Sequence, residues 1–170
     1  IIHWLTLALL IVAWYLGDVL VDARNEKSAT LIGYFAHALV GGTILLLTIL
    51  RLTFRSVDGT PPLAGNSLMD IVARGVHYGL YILLVLLSIT GFMTVLTSSV
   101  GEAFLAVEGS LLPAEYTGPG VIPHAVHEIL VTVLIVVVVV YILGVIKYQF
   151  IMKDGLMRRM LLRRKGSRPA

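Results

Sequence analysis

Four long apolar runs decide what this chain can become. They cover about Ile1 to Val21, Leu31 to Phe54, Ile71 to Leu96 and Ile122 to Phe150. Each is long enough to cross a bilayer core of about 30 Å, which takes roughly 20 helical residues. In hydrocarbon every backbone N–H and C=O has to be satisfied within the segment, so a run of this length is read as a helix. Of the 170 residues 58% are hydrophobic and only 14% charged, with a mean hydropathy of +0.93. A soluble domain of that size needs far more polar surface. We therefore expect an all-α membrane protein, a four-transmembrane-helix bundle over residues 1–150, followed by a basic cytoplasmic tail at 151–170.

The connections carry their own signals. Asp22 to Thr30 is a short polar turn, and SVDGTPPLAGNS holds Gly59, Pro61, Pro62 and Gly65, which forbid a continuous helix. The third connection, Thr97 to Val121, contains Pro113, Gly118, Pro119 and Gly120, and its stretch Glu102 to Val107 could form a short surface helix. Basic residues set the orientation. Arg51, Arg55 and Arg74 flank the second connection, and Lys147, Lys153, Arg158, Arg159, Arg163, Arg164, Lys165 and Arg168 follow the fourth run. The first connection has only Arg24 and Lys27, and no Lys or Arg occurs between Arg74 and Lys147. Both termini are thus expected in the cytoplasm of a bacterial cell, with the first and third connections on the outer side of the inner membrane. The segment LMRRMLLRRK suits an anionic inner leaflet. The chain opens at Ile1, already apolar, so residues ahead of it are expected to be missing. No small-residue cleavage site follows the first run, as a signal peptide would require.

The sequence contains no cysteine, which excludes disulfides, iron–sulfur clusters, thiolate zinc sites and covalent c-type haem. Ionisable residues inside membrane spans are costly, so each is a candidate for function. The histidines are His3, His37, His77, His124 and His127. His37 and His127 each lie about six residues from the outer end of their run, roughly 8–9 Å deep. Two neutral imidazoles at equal depth on two helices suit a bis-histidine haem, one to each face of the iron. Helix–helix hydrogen bonding or a proton path is the plainer alternative. Gly41 follows His37 by one turn and leaves space for a porphyrin, with Gly42 beside it. His124, after Pro123, is expected at the interface. On the cytoplasmic side depth pairs His3 with His77 around a second haem, although the incomplete N-terminus leaves the depth of His3 open. Arg74, on the same face as His77, either holds a haem propionate or is a flanking basic residue. Gly75, Gly79, Ser88 and Gly91 give the third helix small-residue surfaces for close contact.

The segments IIHWL, FAHALVGGTILLLTILRLTFR, ARGVHYGLYILL, AVHEIL and IMKDGLMRRM run in order over nearly the whole chain. Together they resemble the prokaryotic cytochrome b561 family, the small four-helix di-haem cytochromes b, which include cytochrome subunits of membrane-bound dehydrogenases. The resemblance implies bound haem b and transmembrane or quinone-linked electron transfer. It places His37 and His127 on the outer-haem ligands and His3 on the first-helix ligand of the inner haem. The family's usual partner for His3 falls here on Tyr141, and the paired histidines often seen before the KD fall on Tyr148 and Gln149. Three outcomes stay open. The inner haem is lost, or it is kept with His77 as replacement ligand, or it is held through His3 alone or a Tyr141 phenolate.

The favoured reading is a b-type cytochrome of a respiratory or photosynthetic membrane, carrying electrons between the quinone pool and a redox partner. A superoxide:quinone oxidoreductase, an activity found among relatives, is a second reading. The outer connection, however, carries Glu102, Glu108 and Glu115 without a basic residue, and Asp22 and Glu26 offset Arg24 and Lys27. That charge pattern steers an anion poorly and suits a basic partner such as a c-type cytochrome better. A third reading is an accessory subunit of a larger respiratory or photosynthetic complex. An electron carrier is expected rather than a stand-alone enzyme, and an oxidoreductase if it is one. No nucleic-acid partner is expected.

Overall fold

The computed structural model describes residues 2–58 and 68–146. Helix α1 spans Ile2–Asn25, one turn beyond its apolar run. It stops where Lys27 takes a left-handed φ of 57°. There Ser28 N–H donates to the Ala23 carbonyl at 2.7 Å and Lys27 N–H to that of Arg24 at 3.0 Å. This double closure normally uses glycine at the left-handed position. Helix α2 spans Leu31–Asp58, and the Thr30 hydroxyl caps it by accepting from Gly33 N–H at 3.2 Å. Helix α3 spans Leu68–Thr97.

The short helix expected from Glu102 begins earlier. Helix α4 covers Ser99–Ala106 because Ser98 caps it, its side chain accepting from Val100 N–H at 3.3 Å. Two short 3-10 turns, Gly109–Leu111 and Gly118–Gly120, lead into α5, Val121–Ile146. The connection at 59–67, Tyr148, Gln149 and the basic tail lie outside the described residues.

Four helical stretches are long and apolar enough to cross a membrane: Ile2–Asn25, Leu31–Val57, Arg74–Thr97 and Gly118–Gly144. Among the described residues there is no strand, so the fold is the all-α, four-span class that the apolar runs imply. Large apolar side chains such as Ile32, Leu39, Ile82 and Ile129 face outward, as they do where lipid replaces water. Several hydroxyls inside the spans are satisfied by the helix that carries them. Thr43, Thr48, Ser88 and Thr94 each donate to the carbonyl four residues earlier, at 2.8–2.9 Å.

The described residues fall into two compact units, one ending at Val133 and the other beginning at Leu134. The first holds α1 to α4 and the first half of α5. Within it α1 packs on α2, α2 on α3, and α3 on α4 and on the 118–120 turn. The core residues there include Tyr34, Ile44, Thr48, Tyr81, Leu84, Leu87, Val100 and Ala103. The second unit contains the rest of α5, with Tyr141 on it.

Candidate cofactor site

His37, early in α2, and His127, early in α5, come together as the depth count requires. Their ring centroids are 6.3 Å apart with the planes at 79°. Each ring packs against a glycine of a further helix. A Cβ at Gly17 of α1 would stand 3.3 Å from His37 Cε1. A Cβ at Gly91 of α3 would stand 3.2 Å from His127 Cε1 and 3.4 Å from its Nδ1. The absence of these methyl groups is what lets both rings sit between the helices.

Hydrogen bonding fixes the protonation of one ring. His127 Nδ1 lies 2.9 Å from the Leu87 carbonyl and 3.2 Å from the Thr90 hydroxyl. A carbonyl can only accept, so the proton is on Nδ1 and the lone pair is left on Nε2. Metal-bound imidazoles are usually arranged this way, with the second ring nitrogen tied to a carbonyl or carboxylate. His37 Nδ1 is buried without a hydrogen-bond partner, and the Ala13 backbone of α1 is the ring's hydrogen-bonding neighbour.

The separation of the rings matches a metal held between them. Two metal–imidazole bonds of about 2 Å, with half a ring at each end, span roughly 6 Å. Among the described residues no group of three or more His, Cys, Asp or Glu side chains gathers as a metal chelate. A lone histidine pair therefore suits a metal that brings its own equatorial ligands. A Cβ at Gly41 or Gly42 would have no neighbour within 4 Å, so this side of α2 is open as the sequence predicts.

Above this pair, His124 belongs to a separate cap. Its Nε2 lies 3.3 Å from Arg24 Nη1 and 3.7 Å from Glu128 Oε1. Its ring stacks on Tyr116 at 3.9 Å and 27°, and the Arg24 guanidinium lies 5.0 Å over the Tyr116 ring. Burial, and then the neighbouring Tyr34, push the Tyr116 hydroxyl well above the ordinary tyrosine range. Arg24 is thus engaged by Tyr116 and His124, in addition to the sequence-level balance with Asp22 and Glu26.

At the other end of α1 to α3, His3 and His77 share one neighbourhood, but Arg74 is exposed. The arginines turned into that cluster are Arg51 and Arg55 of α2. Arg51 Nη1 donates to His3 Nδ1 at 3.0 Å. The two guanidiniums lie 5.7 and 6.0 Å from the Tyr81 ring, and that of Arg55 also lies 5.3 Å from Tyr78. In the sequence Arg74 is the candidate on the face of His77, while Arg51 and Arg55 read only as basic flanks. Gly17, the Leu87 carbonyl and Thr90 carried no signal there, and Gly91 stood out only as a small residue.

A family model described as prokaryotic cytochrome b561 matches residues 1–163. The chain belongs to the prokaryotic cytochrome b561 family. It is accordingly a multi-pass membrane cytochrome of the b type, working in electron transfer with haem b as cofactor. A curated relative, cytochrome b562 of Cereibacter sphaeroides, is 26% identical over 164 residues, covering 94% of this chain and 90% of that protein. No solved structure matches the chain.

Proposed function

We propose that this cytochrome holds one haem b between His37 and His127, near the outer face of a bacterial inner membrane. The haem serves to pass electrons between the quinone pool and a redox partner on that side. The observation that carries this reading is the 6.3 Å apposition of the two rings. Bound there, haem b supplies a one-electron couple. The chain's residues supply the rest. Nε2 of His127 is presented as a lone pair because the Leu87 carbonyl holds the proton on Nδ1. His37 would supply the second imidazole, and a ligand set of two imidazoles would favour electron transfer over oxygen binding. Gly17 and Gly91 allow the rings to approach, and the open side of α2 at Gly41 leaves room for a flat ring.

With both termini in the cytoplasm, as the basic residues indicate, the histidine pair lies on the outer side. Donor and acceptor then both have to reach that side, one from within the lipid and one from the aqueous face. Glu102, Glu108 and Glu115 on the outer connection favour a basic partner, such as a c-type cytochrome, over an anionic substrate.

A pyridine haemochrome assay on the purified protein tests the site. The expected ratio is close to one haem per chain, lost in His37→Ala and in His127→Ala but kept in His124→Ala. Haem that survives both of the first two substitutions would overturn the assignment. Reduction by a quinol analogue, absent with superoxide, separates electron carriage from the superoxide-oxidising activity.

A further inference from the structure

The cluster at the far end of α1, α2 and α3 is arranged for an anion rather than for iron. We propose that Arg51 and Arg55, with His3 beside them, hold a phosphate oxyanion, and that its source is the headgroup of an anionic phospholipid.

The direction of one hydrogen bond turns His3 away from iron. A guanidinium has donors only, so His3 Nδ1 accepts from Arg51 at 3.0 Å and the proton of a neutral ring sits on Nε2. Both nitrogens are then engaged or protonated, and neither offers iron a lone pair. Charge favours an anion as well. Arg51 and Arg55 stand one turn apart on α2 and converge on the same Tyr81 ring, at 5.7 and 6.0 Å. Arg55 Nε is buried without a partner. Among the described residues no carboxylate pairs with either guanidinium. Two like charges at the edge of a bilayer, one with an unsatisfied N–H, are costly until an anion sits between them.

The occupant follows from position. Both arginines lie in the last two turns of the Leu31–Val57 span, at the level of lipid headgroups. Tyr78, over which Arg55 lies, is 45% exposed, so the cluster opens sideways to the lipid. Phe54, Val57 and Ile82 expose apolar surface nearby for acyl chains. Phosphate oxygens match guanidinium forks, and basic pockets between helices are recurrent sites for anionic headgroups.

Native mass spectrometry of the full chain, purified in mild detergent with added phosphatidylglycerol, tests the proposal. The expected result is one phosphatidylglycerol retained through detergent exchange and not displaced by millimolar inorganic phosphate. In Arg51→Gln/Arg55→Gln its affinity falls about ten- to hundredfold, the loss of a hydrogen bond to a charged group. Arg55→Lys, which keeps the charge but not the fork, gives a smaller drop and guards against a double variant that does not fold. Displacement of the lipid by free phosphate overturns the lipid source. Equal retention in all variants, or a second haem lost in His3→Ala, overturns the site. The visible spectrum of the His37–His127 haem is read in the same samples, so its failure is distinguishable from failure here.

Discussion

Adding one methyl group beside each histidine separates what a ring can tolerate from what it cannot. Gly91→Ala puts a Cβ 3.2 Å from His127 Cε1, and Gly17→Ala puts one 3.3 Å from His37 Cε1. The two contacts are almost equally tight, and each glycine-to-alanine change inside a helix returns roughly 0.5–1 kcal/mol of backbone entropy. The rings differ in their freedom to retreat. His127 is tied to the Leu87 carbonyl at 2.9 Å, whereas His37 Nδ1 has no hydrogen bond to lose. Overpacking costs about 1–3 kcal/mol, and a strained or broken hydrogen bond adds about 1 kcal/mol. Gly91→Ala therefore weakens haem binding by a net of about 1–3.5 kcal/mol, roughly five- to four-hundredfold. Gly17→Ala comes out near zero, because the ring shifts a few tenths of an ångström and the helix gain offsets the rest. Titration of the haem-free protein with haem, followed by its low-spin spectrum, measures both. Equal losses, or a larger loss at Gly17, would refute the idea that the Leu87 carbonyl fixes the His127 ring.

Gly41→Ala meets no protein atom within 4 Å, so the haem-free protein melts as before or slightly higher, by up to about 1 kcal/mol. If the porphyrin lies on that open side, the same variant loses haem affinity in titration; unchanged affinity places the ring elsewhere. Tyr116, whose hydroxyl is held above the usual value of about 10, stays neutral in the fold while the unfolded chain ionises. Its contribution is complete below about pH 10 and is lost as pH rises beyond it, so Tyr116→Phe flattens the alkaline fall in thermal stability. Val107 is 79% exposed and ends α4 at φ 56°, a conformation that disfavours a β-branched residue. Val107→Gly raises stability by about 1 kcal/mol in thermal unfolding, and a lowered Tm would count against strain at that position.

The spans were legible because a bilayer penalises every unsatisfied backbone group, which forces long apolar runs into helices. His37 and His127 were legible for a related reason. An ionisable group in hydrocarbon is expensive, and counting from the outer ends of two helices that run in the same direction fixes its depth. Rotation about the helix axis is another matter. A helix facing water on one side shows an amphipathic stripe, but α5 is apolar nearly all round, so its sequence does not say which residues face a neighbour. Gly91 therefore looked equivalent to Gly75 and Gly79, although only Gly91 of the three meets a histidine ring. The same ambiguity covers the arginines: the sequence points to Arg74 beside His77, whereas the fold turns Arg51 and Arg55 inward and leaves Arg74 exposed. Cap residues fail differently, since Lys27 and Val107 occupy left-handed positions for which neither side chain is a signal.

His3 shows where these two kinds of information meet. Its place in the family pattern points to iron, and position along the chain is what sequence reports well. Whether a ring nitrogen is free depends on its neighbour across the helix interface, which rotation decides. Arg51 reaches His3 from a helix that the sequence could place beside α1 but could not orient. A guanidinium cannot exchange roles with an acceptor, so that single contact alters the chemistry open to the imidazole. His127 meets the opposite neighbour, a carbonyl, and keeps its lone pair. On the proposed reading, the polarity of one hydrogen bond each divides these two histidines between metal binding and anion binding.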